Sequence, residues 1–399
     1  MKHTILFFAY SEWANRRGHH DLVLELAGKN RVAFIEVMPR YGEARARNAG
    51  DYVGNYFNGR TQTISDNLVV IPSPPMMPYA LPIVSSIWRK QFAQLSIRLS
   101  KKIQARYIKK KIRELGWEPT MVICCEAFDL LHTGRFGKGV YCYRTYDEIG
   151  NFFSNRYIAD VIDELEVKNM HKVDFVFASS RAQFEKRKAL HPHIFLVPNA
   201  GNFRHYNEAV TNGVKRPVDI GDIPSPIIGL VSVIDFRIDL ALLKAVALAH
   251  PEWSLVLVGP VRDYSFEGWE ENISGLRSLQ NVYFLGRRDF KSLPAYMKYF
   301  DVGLIPFQVT PATNTMYPYK LHEYLAAGLP VVSTDLYELR PHRDVVRLAG
   351  SGDEFIRAVE EELEADSDMK KQKRMEVARQ NDWAARAEQM LCLAEGKRG

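Results

Sequence analysis

The chain has no long apolar run. No stretch of its 399 residues approaches the roughly 20 apolar residues that a membrane-spanning helix needs. The opening apolar run, Thr4–Tyr10, is too short to be the core of a signal peptide together with its cleavage site. We therefore expect a cytoplasmic protein that is soluble or rests on the inner face of a membrane.

Cysteine is scarce, and the four cysteines show no spacing typical of a metal site: they are Cys124, Cys125, Cys142 and Cys392. Two of them are adjacent within an apolar run, which indicates buried thiols in a reducing compartment. A repeat of short period is also absent, and this excludes a solenoid. Since 46% of the residues are hydrophobic, the chain can bury sizeable cores and disorder is not expected.

The first predicted strand is not followed by the glycine-rich G-x-G-x-x-G turn that binds dinucleotides, so no dinucleotide site is predicted. A strand over Ile5–Tyr10, a helix over Asp21–Ala27 and a strand over Arg31–Val37 form the β-α-β opening of a doubly wound sheet. His19 and His20 stand where this helix begins. They either face a ligand beyond the strand ends or cap the helix in solvent.

Basic charge is concentrated in one segment. The net charge is +6, yet Ser85–Glu118 alone holds ten Lys or Arg and only two Glu. The periodicity predicts one long helix, Val84–Leu115, whose inward apolar stripe comprises Phe92, Leu95, Leu99, Ile103, Ile108, Ile112 and Leu115. Its cations either dock on anionic lipid or form a solvated face. Nucleic acid is not expected as a partner, because no recognised nucleic-acid-binding fold accompanies the patch.

Strands and helices alternate along the rest of the chain. This pattern predicts the α/β class with two Rossmann-like domains. The first domain covers residues 1–212, and residues 213–226, which contain Pro and Gly without periodicity, form the predicted linker. The second domain covers residues 227–375. Residues 376–399 are predicted to be a closing helix that returns to the first domain.

The most informative stretch is Asn314–Thr334, which has the pattern of a loop, a helix, a tight turn and a buried strand. Pro318 suits the first turn of the helix, and Gly328 suits its left-handed C′ position. Lys320 places a cation in the first turn, and Glu323 follows one turn later. These two suit a nucleoside diphosphate, with Lys320 on phosphate and Glu323 accepting hydrogen bonds from ribose. The alternative is an ordinary helix that carries a surface Lys and Glu.

The string P-x-K-x-x-E-Y-x-x-x-G-x-P-V-V over Pro318–Val332 resembles the donor-binding helix of GT-B glycosyltransferases. Val258–Pro260 and Phe284–Arg288 resemble strand ends that lie near the nucleobase and donor in those enzymes. The resemblance implies two Rossmann-like domains facing a cleft and an enzyme that transfers a hexosyl or glycuronosyl group. The donor implied is a nucleotide sugar, UDP-linked, and the implied donor contacts are Lys320, Glu323, Arg237, Tyr319 and Arg287.

The N-terminal half resembles the glucuronosyltransferase of xanthan assembly at Tyr143–Asp147, and this implies that Asp147 is the catalytic base. Glu148 or Glu126 could take that role instead, and Asp147 could simply cap a helix or pair with Arg144. The opening, with Trp13, His19 and His20, resembles teichuronic-acid-type glycosyltransferases. A glycan or a polyprenyl-diphosphate-linked acceptor in surface polysaccharide assembly is therefore expected.

One position departs from the pattern of retaining GT-B enzymes, which carry a second Glu eight residues before Glu323. Thr315 stands there, so we expect inversion, which needs a base for the acceptor hydroxyl. Asp366-Ser367-Asp368 resembles a D-x-D metal site, but it lies in an acidic surface stretch with no strand before it, and no metal is expected. Three alternatives stay open: a retaining enzyme, a non-catalytic membrane or nucleic-acid binding protein on a degenerate GT-B scaffold, and a sugar-nucleotide epimerase.

Overall fold

A computed structural model describes residues 2–16, 18–39, 61–78, 88–146, 156–210, 213–264 and 268–396. The chain divides into two compact units. Unit 1 comprises Met1–Pro198 together with Arg386–Gly399, and unit 2 comprises Asn199–Ala385. Each unit contains its own sheet and its own buried core. The predicted α/β class is confirmed.

The sheet of unit 1 has eight strands in the order β3-β4-β2-β1-β5-β6-β7-β8. All neighbours pair in parallel except β3 and β4, which are antiparallel. The strands are β1 (Thr4–Phe8), β2 (Arg31–Ile35), β3 (Gln62–Ser65), β4 (Leu68–Ile71), β5 (Met121–Cys124), β6 (Val140–Arg144), β7 (Phe175–Ala178) and β8 (Ile194–Leu196). Most of these strands are apolar runs because helices cover a parallel sheet on both faces.

Within the described residues before Pro198, the α-helices of unit 1 are α1 (Gly18–Lys29), α2 (Arg89–Glu114), α3 (Arg156–Met170) and α4 (Arg181–Arg187). A 3₁₀ helix, Ala127–His132, follows β5. Within the described residues, no helix is both long enough and apolar enough to cross a membrane.

Unit 2 contains a six-stranded parallel sheet in the order β11-β10-β9-β12-β13-β14. Its strands are β9 (Ile227–Val231), β10 (Ser254–Val258), β11 (Val282–Gly286), β12 (Val302–Ile305), β13 (Val331–Thr334) and β14 (Arg347–Ala349). The α-helices are α5 (Phe203–Tyr206), α6 (Leu240–Ala249), α7 (Trp269–Arg277), α8 (Leu293–Met297), α9 (Lys320–Ala326), α10 (Gly352–Glu364) and α11 (Asp368–Gln380). Helix α12 (Trp383–Glu395) begins in unit 2 and continues into unit 1 from Arg386. Short 3₁₀ helices are Asn207–Val210, Val218–Ile220, Phe290–Ser292, Thr313–Thr315 and Tyr337–His342.

The units divide between Pro198 and Asn199, earlier than the predicted linker at 213–226. The described part of that segment lies within unit 2, because Ile220 and Ile223 are buried in its core. The Pro and Gly residues of 213–226 therefore belong to a segment of irregular structure that packs on the core of unit 2. The boundary at the other end falls inside α12, at Ala385, later than the predicted residue 376.

Helix α2 is oriented differently from the prediction. Ile108 and Ile112 are buried, but Leu95, Leu99 and Ile103 are 58%, 40% and 42% exposed. The predicted inward stripe is therefore wrong for these three residues. The buried face contains small and polar side chains instead: Ala93, Ser96, Ser100, Lys101, Gln104 and Ala105. The spacing of apolar residues in the sequence does not reveal that the polar side chains on this buried face have hydrogen-bond partners.

A buried polar network holds α2 on the 3₁₀ helix after β5. Lys101 Nζ lies 2.7 Å from Asp129 Oδ1 and 3.1 Å from Gln104 Oε1. Gln104 Nε2 donates to Ser73 Oγ at 2.7 Å, and Gln104 Oε1 lies 2.8 Å from His132 Nε2. Burial, and then the cations of Lys101 and Arg135, hold the pKa of His132 well below its ordinary 6.5. Lys101 is one of the cations for which the sequence predicted a position facing either lipid or solvent, and it is instead 1% exposed.

Candidate functional site

The sheet of unit 2 has one topological switch point, between β9 and β12. The chain continues from β9 to β10 on one side and from β12 to β13 on the other side. Ligands of open α/β sheets bind beyond the carboxyl ends of the strands at such a point. The loops after the two strands are joined there. Gln308 N donates to Arg237 O at 2.7 Å, and Ile238 forms a bridge with Phe307.

The predicted donor helix follows β12 and therefore begins at this same edge of the sheet. The helix begins at Lys320 with Tyr319 as its N-cap residue, so Pro318 precedes the first turn instead of lying in it as predicted. Leu321, Tyr324 and Leu325 are fully buried, and Gly328 has φ +76°, so the predicted buried face and C′ glycine are confirmed. The helix has seven residues, so its dipole is small. The Lys320 side chain therefore carries most of the positive charge at this end.

Lys320 and Glu323 are largely withdrawn from solvent. Their side chains are 17% and 10% exposed, and Lys320 Nζ lies 4.0 Å from Glu323 Oε2. This separation is longer than a hydrogen bond. An ammonium in such surroundings gains more from an anionic ligand than a fully exposed one would, because water screens it less. Glu323 is therefore buried and not a surface residue, and the donor-binding role of the pair stays a prediction.

Tyr324 fixes the helix to the strand at the switch point. Val231 N, at the end of β9, donates to Tyr324 Oη at 2.8 Å. The ring packs on β12 at Gly303, where an added Cβ would approach it to 3.0 Å. Burial raises the pKa of the Tyr324 hydroxyl, so it stays protonated. These contacts connect the position of Lys320 to the crevice between β9 and β12.

Arg237 is held by a carboxylate. Its Nε and Nη2 donate to Asp235 Oδ1 and Oδ2 at 2.9 and 2.7 Å, and Asp235 is buried. The guanidinium also lies 5.6 Å from the Phe307 ring centroid. Arg237 does not open a helix, since α6 begins at Leu240 with Asp239 as its N-cap. The structure places Arg237 beside the switch point, and its contact with the donor stays a prediction.

A tyrosine between two histidines positions the segment that leads into α9. Tyr317 Oη lies 2.7 Å from His322 Nε2 and 2.7 Å from His342 Nε2. A hydroxyl can donate to one imidazole and accept from the other, so two neutral rings satisfy this arrangement. Asn199 Nδ2 adds a hydrogen bond to Tyr317 O at 3.3 Å. This cluster was not predicted from the sequence, because its members are spread over three segments.

Tyr319 and Arg287 are placed differently from one another. Tyr319 is the N-cap residue of α9, with its ring centroid 5.9 Å from Lys320 Nζ. Arg287 is exposed at the end of the edge strand β11. A cavity of about 580 Å³ lies beside it, and Phe284, Leu285, Gly286 and Arg277 are among its lining residues. The guanidinium of Arg277 lies 4.8 Å from the Phe284 ring centroid, and Asp263 and Glu270 also line the cavity.

In unit 1 the switch point lies between β1 and β5. His19 and His20, which begin α1 after β1, are 0% and 1% exposed, so the alternative of solvent-facing caps is wrong. His19 Nε2 lies 3.1 Å from Ser11 Oγ. The Tyr10 ring centroid is 4.0 Å from that of His19 and 3.9 Å from that of Tyr146. The ends of β1 and β6 therefore meet in one aromatic cluster.

The remaining acceptor-side candidates lie at this same edge or outside the described residues. Glu126 follows β5 directly as the N-cap residue of the 3₁₀ helix, and its N donates to Asp129 Oδ2 at 3.3 Å. Asp147 and Glu148 lie outside the described residues. The catalytic role predicted for Asp147 stays a prediction, and its nearest described neighbour along the chain is Tyr146.

The Asp366-Ser367-Asp368 string has structural partners. Asp366 Oδ1 lies 2.8 Å from Arg374 Nη1, and Ser367 Oγ accepts from Lys370 N as the N-cap of α11. Thr315, which stands where retaining enzymes have Glu, donates its hydroxyl to Ala312 O at 2.8 Å. Within the described ranges, no group of three or more His, Cys, Asp or Glu could hold a metal ion.

Residues 228–365, which cover the site in unit 2, match the family described as "Glycosyl transferases group 1". TuaH of Bacillus subtilis (strain 168), named as a teichuronic acid biosynthesis glycosyltransferase, is 29% identical over 239 residues. That match covers 56% of this chain and 57% of TuaH. The chain thus aligns with little more than half of the length of this relative.

Solved structures show the fold of the whole chain. Sucrose-phosphate synthase from Thermosynechococcus elongatus has a TM-score of 0.68 at 15% identity and covers 100% of this chain and 99% of its own. Anabaena HepE, solved in complex with UDP and glucose, has a TM-score of 0.62 at 15% identity and covers 98% of each chain. The fold is therefore GT-B. By sequence, the chain resembles teichuronic-acid-type glycosyltransferases, as predicted. The resemblance to the xanthan enzyme stays a prediction.

Proposed function

We propose that this chain transfers a sugar from a UDP-linked nucleotide sugar to a glycan or polyprenyl-diphosphate-linked acceptor in surface polysaccharide assembly. The observation that carries the proposal is the pair Lys320 and Glu323, withdrawn from solvent at the switch point of unit 2. The name of TuaH supports the polysaccharide role. The UDP complex of HepE, which shares the fold, supports the choice of nucleotide.

The donor half of the proposal rests on charge. Lys320 neutralises the diphosphate, and Arg237, already oriented by Asp235, adds a second cation as the leaving group departs. Glu323 accepts hydrogen bonds from the ribose hydroxyls, and the cavity at Phe284 and Gly286 receives the base. These side chains supply the charge that a metal supplies elsewhere, so the proposal requires no metal.

The acceptor half rests on the resemblance at Tyr143–Asp147. In an inverting transfer, the acceptor hydroxyl attacks the anomeric carbon from the face opposite the diphosphate and loses its proton to a base. We assign that proton to the carboxylate of Asp147. The proton then resides on Asp147, the anomeric carbon–oxygen bond to the diphosphate breaks, and UDP leaves as the anion.

Asp147→Asn is expected to lower the transfer rate about 100-fold, because the amide cannot accept the proton, a contribution typical of a general base. UDP binding should be unchanged. The measurement is turnover of UDP-sugars, with UDP-induced thermal shifts measured in parallel. Glu148→Gln and Glu126→Gln are the matched controls, and a large loss in either one with Asp147→Asn unaffected would reassign the base. A product with the donor's anomeric configuration would show a retaining enzyme instead.

A membrane surface is the second partner that we propose, and the outward face of α2 supports it. Leu95, Leu99 and Ile103 form an exposed row at helical spacing. Exposed cations flank the row: Arg98, Lys102 and Arg106. An exposed apolar row between cations is the pattern of helices that lie on anionic lipid.

Leu95→Ser/Leu99→Ser is expected to reduce co-sedimentation with phosphatidylglycerol vesicles about tenfold. The reason is that the variant loses the free energy gained when two leucine side chains move from water into lipid. Leu190→Ser/Leu248→Ser removes two exposed leucines elsewhere on the surface and should bind vesicles as the wild type does. Equal binding by both double variants and the wild type would contradict the membrane role of α2 and leave the proposed transfer reaction untouched.

A further inference from the structure

A basic pocket lies at the amino-terminal edge of the sheet in unit 1, away from the candidate acceptor residues. It has a volume of about 590 Å³ and is lined by the end of α2 and by the segments that precede β5 and β6. Glu126 follows the carboxyl end of β5, so the length of β5, four residues or about 13 Å, separates the two edges. The pocket is therefore distinct from the proposed reaction site.

Four cations line the pocket, and one carboxylate accompanies them. The cations are Lys109, Arg113, Arg135 and Lys138, and the carboxylate is Glu118. In the described part of the chain, none of the four cations forms an ion pair within 4.0 Å. The pocket thus concentrates positive charge that the described chain does not neutralise. Such a concave, like-charged surface attracts anions.

The two arginines are pre-oriented by backbone contacts. Arg135 Nε donates to Leu131 O at 2.6 Å, and Arg113 Nε donates to Lys109 O at 3.4 Å. These contacts leave the terminal nitrogens of both guanidiniums available within the described structure. A guanidinium presents such nitrogens to phosphate oxygens in a planar, bidentate arrangement.

Apolar surface adjoins the cations. Trp117, Phe136 and Ile112 line the same pocket, and Phe136 and Ile112 are buried. The volume exceeds what a single phosphate group fills, so the walls leave room for the group to which a phosphate is attached. The exposed cations of α2 at positions 98, 102 and 106 lead along the helix toward Lys109 and Arg113.

We propose that this pocket binds the phosphate of a phosphate-bearing ligand, as a second anion site separate from the donor site at Lys320. The phosphate belongs either to a lipid headgroup or to a soluble phosphate compound. The chemistry that the pocket recognises is the same in both cases. The proposal stands independently of the transfer reaction, because none of its residues takes part in that reaction.

The test compares two double variants of α2 that remove the same charges. Lys109→Gln/Arg113→Gln removes a Lys and an Arg of the pocket at a spacing of four residues. Lys102→Gln/Arg106→Gln removes a Lys and an Arg at the same spacing outside it, and all four side chains are exposed, so both variants should fold. Inorganic pyrophosphate is titrated by calorimetry into each variant and into Lys320→Ala, which removes the donor-site cation.

The pocket variant is expected to bind pyrophosphate about tenfold more weakly than the control variant, as the loss of charge-assisted hydrogen bonds implies. Binding should persist in Lys320→Ala. Arg135→Gln, on the opposite wall, should weaken binding in the same way. Equal pyrophosphate affinity in the two double variants would overturn the proposal and show only general electrostatic attraction.

Phosphatidylglycerol vesicles distinguish the two sources of phosphate. If the phosphate is lipid-borne, inorganic pyrophosphate displaces vesicles from the wild type and from the control variant but not from the pocket variant. If the ligand is soluble, pyrophosphate binding still differs between the two double variants, but pyrophosphate displaces vesicles from none of the proteins. Thermal shifts induced by UDP separate the two sites. A shift that disappears in Lys320→Ala and persists in the pocket variant would show that loss of one site leaves the other intact.

Discussion

Lys101→Met is expected to lower the free energy of unfolding of unit 1 by about 3–5 kcal/mol, as is typical when one partner of a buried ion pair is removed. Lys101 Nζ and Asp129 Oδ1 are 2.7 Å apart, and both side chains are 2% exposed. The variant would leave Asp129 as a buried carboxylate without its cation. Hydrogen exchange of peptides from α2 and from the 3₁₀ helix after β5, with urea unfolding, is the measurement.

Two further variants control this prediction. Lys102→Met changes the adjacent, exposed lysine and should leave stability within about 0.5 kcal/mol of the wild type. Lys101→Met/Asp129→Leu removes both charges, so it should recover much of the loss, since apolar replacement of a whole buried pair is often neutral. If Lys101→Met unfolded at the same urea concentration as the wild type, the buried pair would not stabilise unit 1.

The loss in Lys101→Met should also depend on pH. The folded-state pKa of His132 lies below its ordinary 6.5, so its contribution to stability is present above about pH 6.5 and is lost as the pH falls. Lys101 is one cause of that low pKa, and Asp129 Oδ1 lies 4.0 Å from His132 Nε2. Without Lys101, His132 can take up a proton beside Asp129. The stability difference between variant and wild type should therefore be smaller at pH 5.5 than at pH 8.

Lys320→Ala is expected to lower sugar transfer 10²–10³-fold, which is the loss typical when one group that stabilises a developing charge is removed. The thermal shift induced by UDP should disappear. The Lys320 side chain is only 17% exposed and lies 4.0 Å from Glu323. The melting temperature without ligand is measured as well, and a large fall would assign part of the lost transfer to the stability of unit 2.

Lys291→Ala is the matched control for this experiment, since Lys291 is an exposed lysine of the same unit. Lys320→Arg should recover only part of the activity, because a guanidinium differs from an ammonium in size and geometry. Thermal shifts with UDP, GDP and ADP, followed by their sugars, identify the nucleotide. No shift with any nucleotide on the wild type would remove the basis for the donor site and favour a non-catalytic protein.

The sequence predicted the donor helix well because local chemistry determines it. The spacing of Leu321, Tyr324 and Leu325, and the glycine at 328, depend only on residues within one helix and its turn. The alternation of strands and helices is enough to infer a switch point in the sheet. It is not enough to infer that Arg237 donates a hydrogen bond to Asp235. A carboxylate two residues before an arginine is visible in the sequence, yet its orientation depends on how the loop after β9 is folded.

The prediction failed where tertiary contacts reversed a local pattern. In α2 the leucines at 95 and 99 face outward because Ser96, Ser100 and Lys101 find partners on the inward side. Ser96 Oγ donates to Pro78 O at 2.7 Å, and Met77 N donates to Ser100 Oγ at 3.0 Å. The antiparallel strand β3 (Gln62–Ser65) was also missed, because it is polar and mostly exposed and so lacks the apolar run that indicated the other strands.

The inner face of α2 is held by hydrogen bonds, and its outer face is apolar. Substitutions on the two faces are therefore under different selection. Changes at the inner positions are penalised through folding, whatever the environment of the protein. Changes at Leu95, Leu99 and Ile103 cost the fold little, so these positions can drift as the surroundings of the protein change. Among homologues, the inner serines and Lys101 should therefore vary slowly. The outer row should vary quickly in composition and remain apolar only in lineages where it has a partner.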